Sequence, residues 1–289
     1  MVRVCSATHW RFEGPDELRD DQQRLLERGG VLYFPRLGFE LLPQESKFLS
    51  GQWSDRKTKS VSLSGPDAPL RGAVGSPEDL AALREMLARY ARSSQQLVND
   101  LFPRYRGHLK RAGSTFRPRS VTAPLSARKD DTRLHVDSFP SNPIHGQRLL
   151  RIFTNIDPNK APRVWRVGEP FPEFARRYID RTWPPLPGSR RLLSILGITK
   201  RPRSEYDHRM LQLHDLVKTD SDYQANAKQY WLEFPAGSTW LVFSDQVLHA
   251  AMAGQFMTEQ TFYLDPSASL EPDTAPVVVL DRLIGKRLI

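Results

Sequence analysis

The stretch Arg133-Leu-His-Val-Asp-Ser-Phe139 carries two metal-binding side chains, His135 and Asp137, two residues apart. Because side chains at positions i and i+2 of an extended chain point to the same side, both could face the interior of a β-sheet fold. The polar segment after them, residues 138–143, contains two prolines and is typical of a loop. The pair is therefore predicted to lie at the end of a strand, where a site open to ligands can form.

A third candidate ligand, His249, follows a strand pattern far downstream. The sequence Glu233-Phe-Pro-Ala-Gly-Ser-Thr-Trp-Leu-Val-Phe-Ser-Asp-Gln-Val-Leu-His249 contains a Pro/Gly turn, an apolar run and a short polar loop. This arrangement can deliver an imidazole to the mouth of a barrel, next to the strand that bears the other two side chains. Two imidazoles and one carboxylate on one face of a metal leave positions open for substrates, as in non-haem Fe(II) oxygenases.

The simpler alternative is that His249 is an ordinary core or surface histidine, and that His135 and Asp137 form a hydrogen-bonded pair. Among the other histidines, His208 and His214 lie six residues apart on a predicted helix. This is not the spacing of two ligands on one helix face, so we expect surface or packing roles for them. His145 is close enough in sequence to the pair to face a substrate.

The composition limits the class of protein. The 289 residues fit one large domain or two small ones, and the lone Cys5 excludes an intramolecular disulfide and a thiolate zinc site. No secretory signal or transmembrane run is apparent, so we expect a cytoplasmic protein. The net charge of +9 favours a polyanionic partner, although it could simply keep the surface soluble. No nucleic-acid-binding motif is present, so we expect no nucleic-acid partner.

The predicted secondary structure changes character near residue 108. Helices are predicted over residues 15–29 and 76–102, with a short buried strand, Val31–Phe34, between them. Beyond them, short β-rich runs separated by turn residues indicate a sandwich or barrel. These runs are Ser114–Phe116, Arg133–Val136, Gln147–Ile156, Arg163–Val167, Tyr230–Phe234, Thr239–Phe243 and Gln260–Leu264.

We predict one domain over residues 1–289. Residues 1–108 would form a helical and strand support, and residues 109–168 and 229–270 the barrel core. Residues 169–228 interrupt the strand pattern and are predicted to be a helical insertion, with helices over 171–181 and 205–219.

With these residues in place, the chain resembles the Fe(II)/2-oxoglutarate-dependent dioxygenases. The His-x-Asp … His triad of that superfamily matches His135, Asp137 and His249. Within the superfamily, the chain resembles the bacterial hydroxylases of 3-deoxy-D-manno-oct-2-ulosonic acid (Kdo), a lipopolysaccharide sugar. The narrower resemblance covers most of the chain and rests on Gly29-Gly-Val-Leu-Tyr-Phe-Pro35, Arg133–Phe139, Leu150-Arg-Ile-Phe-Thr-Asn-Ile156, Pro162-Arg-Val-Trp-Arg-Val-Gly-Glu-Pro-Phe171 and Glu259-Gln-Thr-Phe262.

The resemblance implies an α+β fold built on a double-stranded β-helix, that is, a jelly-roll or cupin-like barrel, with N-terminal helices and a helical insertion. It implies Fe(II), 2-oxoglutarate as co-substrate and O2, with ascorbate as a reductant in vitro. The implied reaction adds a hydroxyl group at C3 of a Kdo sugar on lipid A or the lipopolysaccharide inner core. The implied partner is Kdo-containing lipid A at the inner face of the inner membrane, where the protein would be peripheral.

Two other classes of function stay open at this point. The same oxygenase chemistry could act on a small molecule or on nucleic acid. Alternatively, the chain could be a non-catalytic barrel that keeps a metal for stability or sensing.

The chain departs from the superfamily in the region that usually holds the co-substrate. Many relatives carry an Arg or Lys about ten residues after the distal histidine, but residues 256–262 contain no basic residue. A buried carboxylate needs a cation or several donors, and an arginine meets it with two parallel hydrogen bonds. We expect Arg151 to take this role, with Arg148 as second candidate and Gln260 as an added amide. Exposed positions on a strand are the alternative for both arginines.

Two further segments bear on the substrate. Arg163, Trp165 and Arg166 form a basic and aromatic cluster on one short predicted strand, which suits an acidic sugar. A solvated strand face with a buried tryptophan would give the same pattern. The segment Arg190–Arg203 has an apolar centre between basic ends and suits the interface of an anionic leaflet. A buried element with a basic rim fits it equally well.

Overall fold

Two facing β-sheets form the centre of the computed structural model, which describes residues 1–65, 68–122 and 126–289. Their strands are β1 (Val2–Val4), β2 (Val31–Phe34), β3 (Val61–Leu63), β4 (Leu109–Arg117), β5 (Arg148–Asn155), β6 (Arg163–Val167), β7 (Tyr230–Phe234), β8 (Thr239–Phe243), β9 (His249–Ala253) and β10 (Met257–Leu264). The larger sheet has the order β1-β2-β8-β5-β10-β4-β3, and the smaller one β7-β6-β9.

Aromatic side chains fill the space between the sheets. The rings of Phe153 and Trp240, from the larger sheet, lie 5.1 Å and 5.6 Å from the ring of Trp165 in the smaller sheet. Phe234 stacks on Trp240 with 4.1 Å between the ring centres. Such contacts make each sheet the hydrophobic cover of the other.

This arrangement is the predicted jelly-roll. Within the described ranges, no ladder of hydrogen bonds joins the two sheets, so they face each other without closing into a ring of strands.

Seven helices surround the sheets in the part of the chain that the structure describes. The insertion between β6 and β7 contains four of them, and its predicted helices correspond to α3, with the short turn that follows it, and α5. The helices are α1 (Asp16–Glu27), α2 (Pro77–Leu101), α3 (Phe171–Tyr178), α4 (Ser189–Ile195), α5 (Glu205–Thr219), α6 (Ser221–Asn226) and α7 (Pro276–Ile284). No helix of the described chain is long and apolar enough to cross a bilayer.

The N-terminal region does more than support the core. Its strands β1, β2 and β3 belong to the larger sheet. Helix α2 covers the outer face of that sheet, where the hydroxyl of Tyr90 donates to the carbonyl of Ile152 over 3.3 Å. The helix begins as predicted, because the Ser76 hydroxyl accepts from the backbone N–H of Asp79 and caps the first turn.

One predicted strand, Arg133–Val136, is wrong. The segment is extended but makes only an isolated bridge, between His135 and His249. The next backbone groups that a ladder with β9 would pair make other hydrogen bonds: the N–H of Arg133 donates to the carbonyl of Asp130 at 3.3 Å, and the N–H of Ala251 donates to the carbonyl of Asp131 at 2.7 Å. The segment therefore does not extend a regular ladder along β9.

The ion pair of Arg148 and Asp245 generates a stability prediction. Both side chains are fully buried, and Arg148 Nε donates to an Asp245 carboxylate oxygen at 2.9 Å. In Asp245→Asn the guanidinium would stay buried without its counter-charge, so we expect a loss of about 3–5 kcal/mol in the free energy of unfolding. Urea denaturation followed by circular dichroism measures it.

The matched control is Glu85→Gln, which breaks the exposed Arg92–Glu85 pair. Solvent already screens that pair, so we expect a much smaller change. Equal shifts in the urea midpoint for the two variants would show that burial of the Arg148 pair does not matter.

Candidate metal centre

His135, Asp137 and His249 come together at one edge of the smaller sheet. Each offers one ligand atom, and these atoms lie within 4.8 Å of one another. A reciprocal backbone bridge fixes the two histidines, since the N–H of His135 donates to the carbonyl of His249 at 3.0 Å and the reverse bond is 2.9 Å. The N–H of Asp137 donates to the Ser244 carbonyl at 2.8 Å, which holds the third side chain in place.

Backbone carbonyls orient both imidazoles. Nδ1 of His135 lies 2.7 Å from the carbonyl of Arg133, and Nδ1 of His249 lies 2.8 Å from the carbonyl of Val247. A carbonyl can only accept, so Nδ1 must carry the proton in each ring. The lone pair of each neutral ring is then on Nε2, as a metal ligand needs.

The electrostatics keep each group in its metal-binding form. Burial lowers the pKa of both imidazoles, and for His135 the nearby His249 lowers it further. Burial alone would raise the pKa of the Asp137 carboxyl, but Arg151 and then the two imidazoles outweigh this effect and hold it below its usual range. Two neutral imidazoles and one carboxylate therefore face each other.

The donor set fits a divalent metal ion. One carboxylate oxygen of Asp137, Oδ2, is buried and makes no hydrogen bond in the described chain. A buried carboxylate oxygen without a donor is unfavourable unless a cation compensates it. The guanidinium of Arg151 lies 3.1 Å from this oxygen and supplies part of the compensating positive charge. A metal ion held by all three residues would supply the remainder of that charge.

The wall beside the triad is apolar. The Trp165 ring stacks on the imidazole of His249, with 4.9 Å between ring centres and 22° between planes. His249 is also packed against His135, whose ring centre lies 4.7 Å away. This packing limits each imidazole to one orientation and shields the triad from solvent.

Of the three residues predicted for the co-substrate, the structure brings one to the triad. Arg151 lies 3.1 Å from Asp137 and 3.4 Å from Glu259. Arg148 points to the opposite face of β5, where its guanidinium lies over the ring of Phe243. Strand alternation explains the difference, since positions 148 and 151 must face opposite sides.

Gln260 is also turned away from the triad. Its amide donates to the carbonyl of Ala112 at 3.2 Å and accepts from Ser114, on the face of the larger sheet that α2 covers. The expectation that Arg148 and Gln260 assist Arg151 is therefore corrected: both are committed to contacts within the protein.

Of the four residues predicted to bind the substrate, two face the interior between the sheets and two do not. Arg163 and Trp165 are buried on the inner face of β6. Arg166 lies on the other face and donates to the carbonyl of Thr132 at 2.7 Å. The side chain of His145 is partly exposed, and its Nε2 lies 2.8 Å from the carbonyl of Pro202. The structure therefore does not bring Arg166 and His145 to the triad.

Several residues near the triad were missed from the sequence. His214 was expected only at the surface or in packing, yet its ring meets that of His135 edge-on at 5.4 Å. Glu259 lies between Arg151 and Arg117, with 3.4 Å to each guanidinium. No local pattern marks these residues, because each comes from a different element and only the packed sheets bring them together.

The triad geometry generates a binding prediction. We expect Co(II) at about a hundred times its dissociation constant to stabilise the folded protein by about 2.7 kcal/mol, because the ion binds the assembled site and not the unfolded chain. Thermal melting with and without Co(II) measures the shift, and His135→Ala should abolish it.

His108→Ala is the matched control, because this histidine is exposed and outside the triad. It should keep the full shift. An unchanged Co(II) shift in His135→Ala would place the metal elsewhere.

Comparisons with known proteins identify the family. The family model described as 3-deoxy-D-manno-oct-2-ulosonic acid (Kdo) hydroxylase matches residues 9–287. A crystal structure of the Kdo hydroxylase KdoO, a non-haem Fe(II) α-ketoglutarate-dependent dioxygenase in complex with α-ketoglutarate and Fe(III), is 46% identical, with a TM-score of 0.96 over 100% of this chain and 97% of that chain. The KdoO complex with succinate and Fe(III) matches with the same identity and coverage and a TM-score of 0.95.

Comparison with curated proteins found no match. The family match and the solved structures cover essentially the whole chain. The chain belongs to the Kdo hydroxylase family of Fe(II)/2-oxoglutarate-dependent dioxygenases.

Proposed function

We propose that this chain hydroxylates C3 of a Kdo sugar on lipid A or the lipopolysaccharide inner core, and that His135, Asp137 and His249 hold the Fe(II). The observation that carries the assignment is the buried cluster of two imidazoles and one carboxylate. It has the composition of the facial triad of non-haem Fe(II) oxygenases. Family membership supports the choice of substrate.

The metal ion and the protein residues make different contributions to the reaction. Bound Fe(II), with 2-oxoglutarate and O2, supplies the oxidising power that an unactivated C–H bond requires. The chain supplies two imidazoles held by carbonyls, one ionised carboxylate and a dry apolar wall at Trp165. No protein group has to act as a general base in this chemistry.

Arg151 is proposed as the residue that contacts 2-oxoglutarate. Its guanidinium is buried and lies within 3.4 Å of both Asp137 and Glu259. The two carboxylates fix its position and stabilise its charge. A dianionic co-substrate beside Asp137 and Glu259 would face two like charges, and Arg151 is the cation placed to offset them.

The activity assay tests the assignment. With Fe(II), ascorbate, 2-oxoglutarate and Kdo-lipid A, we expect succinate and a product heavier by one oxygen atom. We expect His135→Ala to lose activity by at least about a hundredfold because the metal is no longer held, a loss equivalent to about 2.7 kcal/mol of transition-state stabilisation. Succinate release and mass spectrometry of the lipid measure the two outcomes.

The His108→Ala control should retain activity. If an acceptor other than Kdo-lipid A gains the oxygen, only the substrate assignment fails. If no acceptor yields succinate from the folded wild-type protein, the oxygenase assignment fails.

A lipid-linked substrate requires access to a membrane surface, and we propose that the insertion supplies it. Six large apolar side chains on and around α4 are more than half exposed: Trp183, Leu186, Leu192, Ile195, Leu196 and Ile198. Residues 181–203 contain six basic residues and no acidic residue. Exposed apolar side chains among cations suit the interface of an anionic leaflet.

This surface, which we call the α4 surface (residues 183–201), lies next to a loop of the candidate metal centre. The N–H of Lys200 donates to the carbonyl of Ser141 at 2.9 Å, and Arg203 donates to the carbonyl of Pro140. Both acceptors belong to the loop that follows Asp137. A headgroup held at the α4 surface would therefore lie beside the loop that leads to the triad.

Liposome co-sedimentation tests the α4 surface. The cations Arg190, Arg191, Lys200 and Arg201 make no ion pair within the described ranges, so their charge is available to lipid. We expect the wild type to pellet with phosphatidylglycerol vesicles and less with phosphatidylcholine. Each cation near an anionic surface contributes about 1 kcal/mol, so converting all four to Gln should weaken binding by at least about a hundredfold.

The control converts four other exposed cations to Gln and so makes the same change in net charge: Arg11, Arg36, Lys110 and Arg111. It should bind like the wild type. Equal binding of the α4-surface variant and the wild type would argue against an electrostatic membrane contact.

A further inference from the structure

The segment that carries His135 needs a hydrogen-bonding partner on each of its two sides. On one side, the N–H and carbonyl of His135 pair with His249 of β9. The backbone groups of the preceding residue, Leu134, point to the opposite side, because these groups alternate in direction along an extended chain. Leu134 is fully buried, so its N–H and carbonyl must find a partner within the protein.

The side chain of Gln224, on α6 of the insertion, is that partner. Its amide oxygen accepts from the N–H of Leu134 at 2.7 Å, and its amide nitrogen donates to the carbonyl of Leu134 at 3.0 Å. The same nitrogen donates to the carbonyl of Val217, on α5, at 2.9 Å. An amide side chain offers the same kinds of donor and acceptor as a peptide group, so Gln224 takes the place of a neighbouring strand.

Two further contacts join the insertion to the residues on either side of Leu134. The guanidinium of Arg133 donates to the carbonyl of Lys218 at 2.9 Å, and the ring of His214 meets that of His135 edge-on at 5.4 Å. The side chain of Leu134 lies in the same buried apolar cluster as three residues of α5: Met210, Leu213 and Val217. Three consecutive residues of the segment therefore contact the insertion.

The bonds of Gln224 act on the two peptide groups that determine the position of His135. The N–H of Leu134 belongs to the same planar peptide group as the carbonyl of Arg133, which accepts from Nδ1 of His135. The carbonyl of Leu134 belongs to the same peptide group as the N–H of His135, which bonds to His249. One side chain thus fixes both the plane that orients the imidazole and the plane that places its backbone.

We propose that Gln224 is a positioning residue for His135, so that the insertion is part of the metal centre as well as a cover for the smaller sheet. The inference rests on the proposed function, in which His135 holds the metal. Groups that hold a metal ligand in place without touching the metal usually affect both its affinity and its electronic properties. Gln224 does so here through two peptide planes.

The visible absorption spectrum of the Co(II)-loaded protein tests the proposal. Gln224→Met retains a side chain of similar length but removes both hydrogen-bonding partners of Leu134. We expect the Co(II) bands to change in position or intensity at metal saturation, because the imidazole of His135 is no longer held in one direction. We also expect the dissociation constant for Co(II) to rise by about tenfold or more.

The matched control is Gln212→Met on α5. The amide of Gln212 accepts from the N–H of Trp183 at 3.1 Å and donates to the carbonyl of Trp183 at 2.9 Å. This is the same pair of bonds, made to a residue outside the ligand-bearing segment. Trp183 belongs to the α4 surface, and no lipid is present in these measurements. Gln212→Met should therefore keep the wild-type spectrum and affinity.

The melting temperature of the metal-free proteins separates positioning from stability. A lower melting temperature of Gln224→Met, together with a wild-type Co(II) spectrum and affinity, would overturn the proposal, since Gln224 would then only stabilise the fold. Gln224→Asn keeps the amide but is one methylene shorter, so we expect a smaller change in the same direction.

Should Gln224→Met fail to fold, Gln224→Asn decides the matter. A wild-type Co(II) spectrum and affinity in that variant would also overturn the proposal. Failure of the proposed function gives a different result, because the wild type and His135→Ala would then have the same Co(II) spectrum and affinity.

Discussion

The reciprocal backbone bridge between His135 and His249 is the contact on which the site depends. The two residues are 114 positions apart in the chain, and their paired N–H and carbonyl groups bring the rings to 4.7 Å. Fixed backbone at both positions also places each Nδ1 on a carbonyl two residues earlier. The position, tautomer and direction of both imidazoles therefore follow from one pairing of extended segments.

Around this bridge, charged side chains of both signs form a connected chain that runs from the buried triad to the surface. Asp137, Glu259 and Asp131 alternate with Arg151, Arg117 and Lys59, and each of these six groups lies within 4 Å of an opposite charge. Such a chain of ion pairs gives each member at least one partner of opposite charge. Arg163 differs from these groups, because no carboxylate oxygen lies within 4 Å of its guanidinium among the described residues.

The helical insertion links the α4 surface, for which we propose a membrane contact, to this interior. Its α4 surface is tied to the loop after Asp137, and its helix α5 brings His214 against His135. One inserted segment thus contributes both an exposed apolar face and part of the packing around the triad. The two sheets of the jelly-roll therefore do not form the site alone, because the insertion provides part of the packing around the triad.

The sequence by itself predicted most of the strands, the helices α1, α2 and α5 and the three candidate ligands of the triad, because these depend on local periodicity and on the side chains that metals prefer. It could rank Arg151 above Arg148 only by spacing. The packing of the two sheets decided which face of β5 is internal, and so turned Arg151 toward Asp137 and Arg148 toward Asp245. The burial of Arg163 on the inner face of β6 was likewise decided by tertiary structure, because only the packing of the two sheets determines which face of a strand is covered.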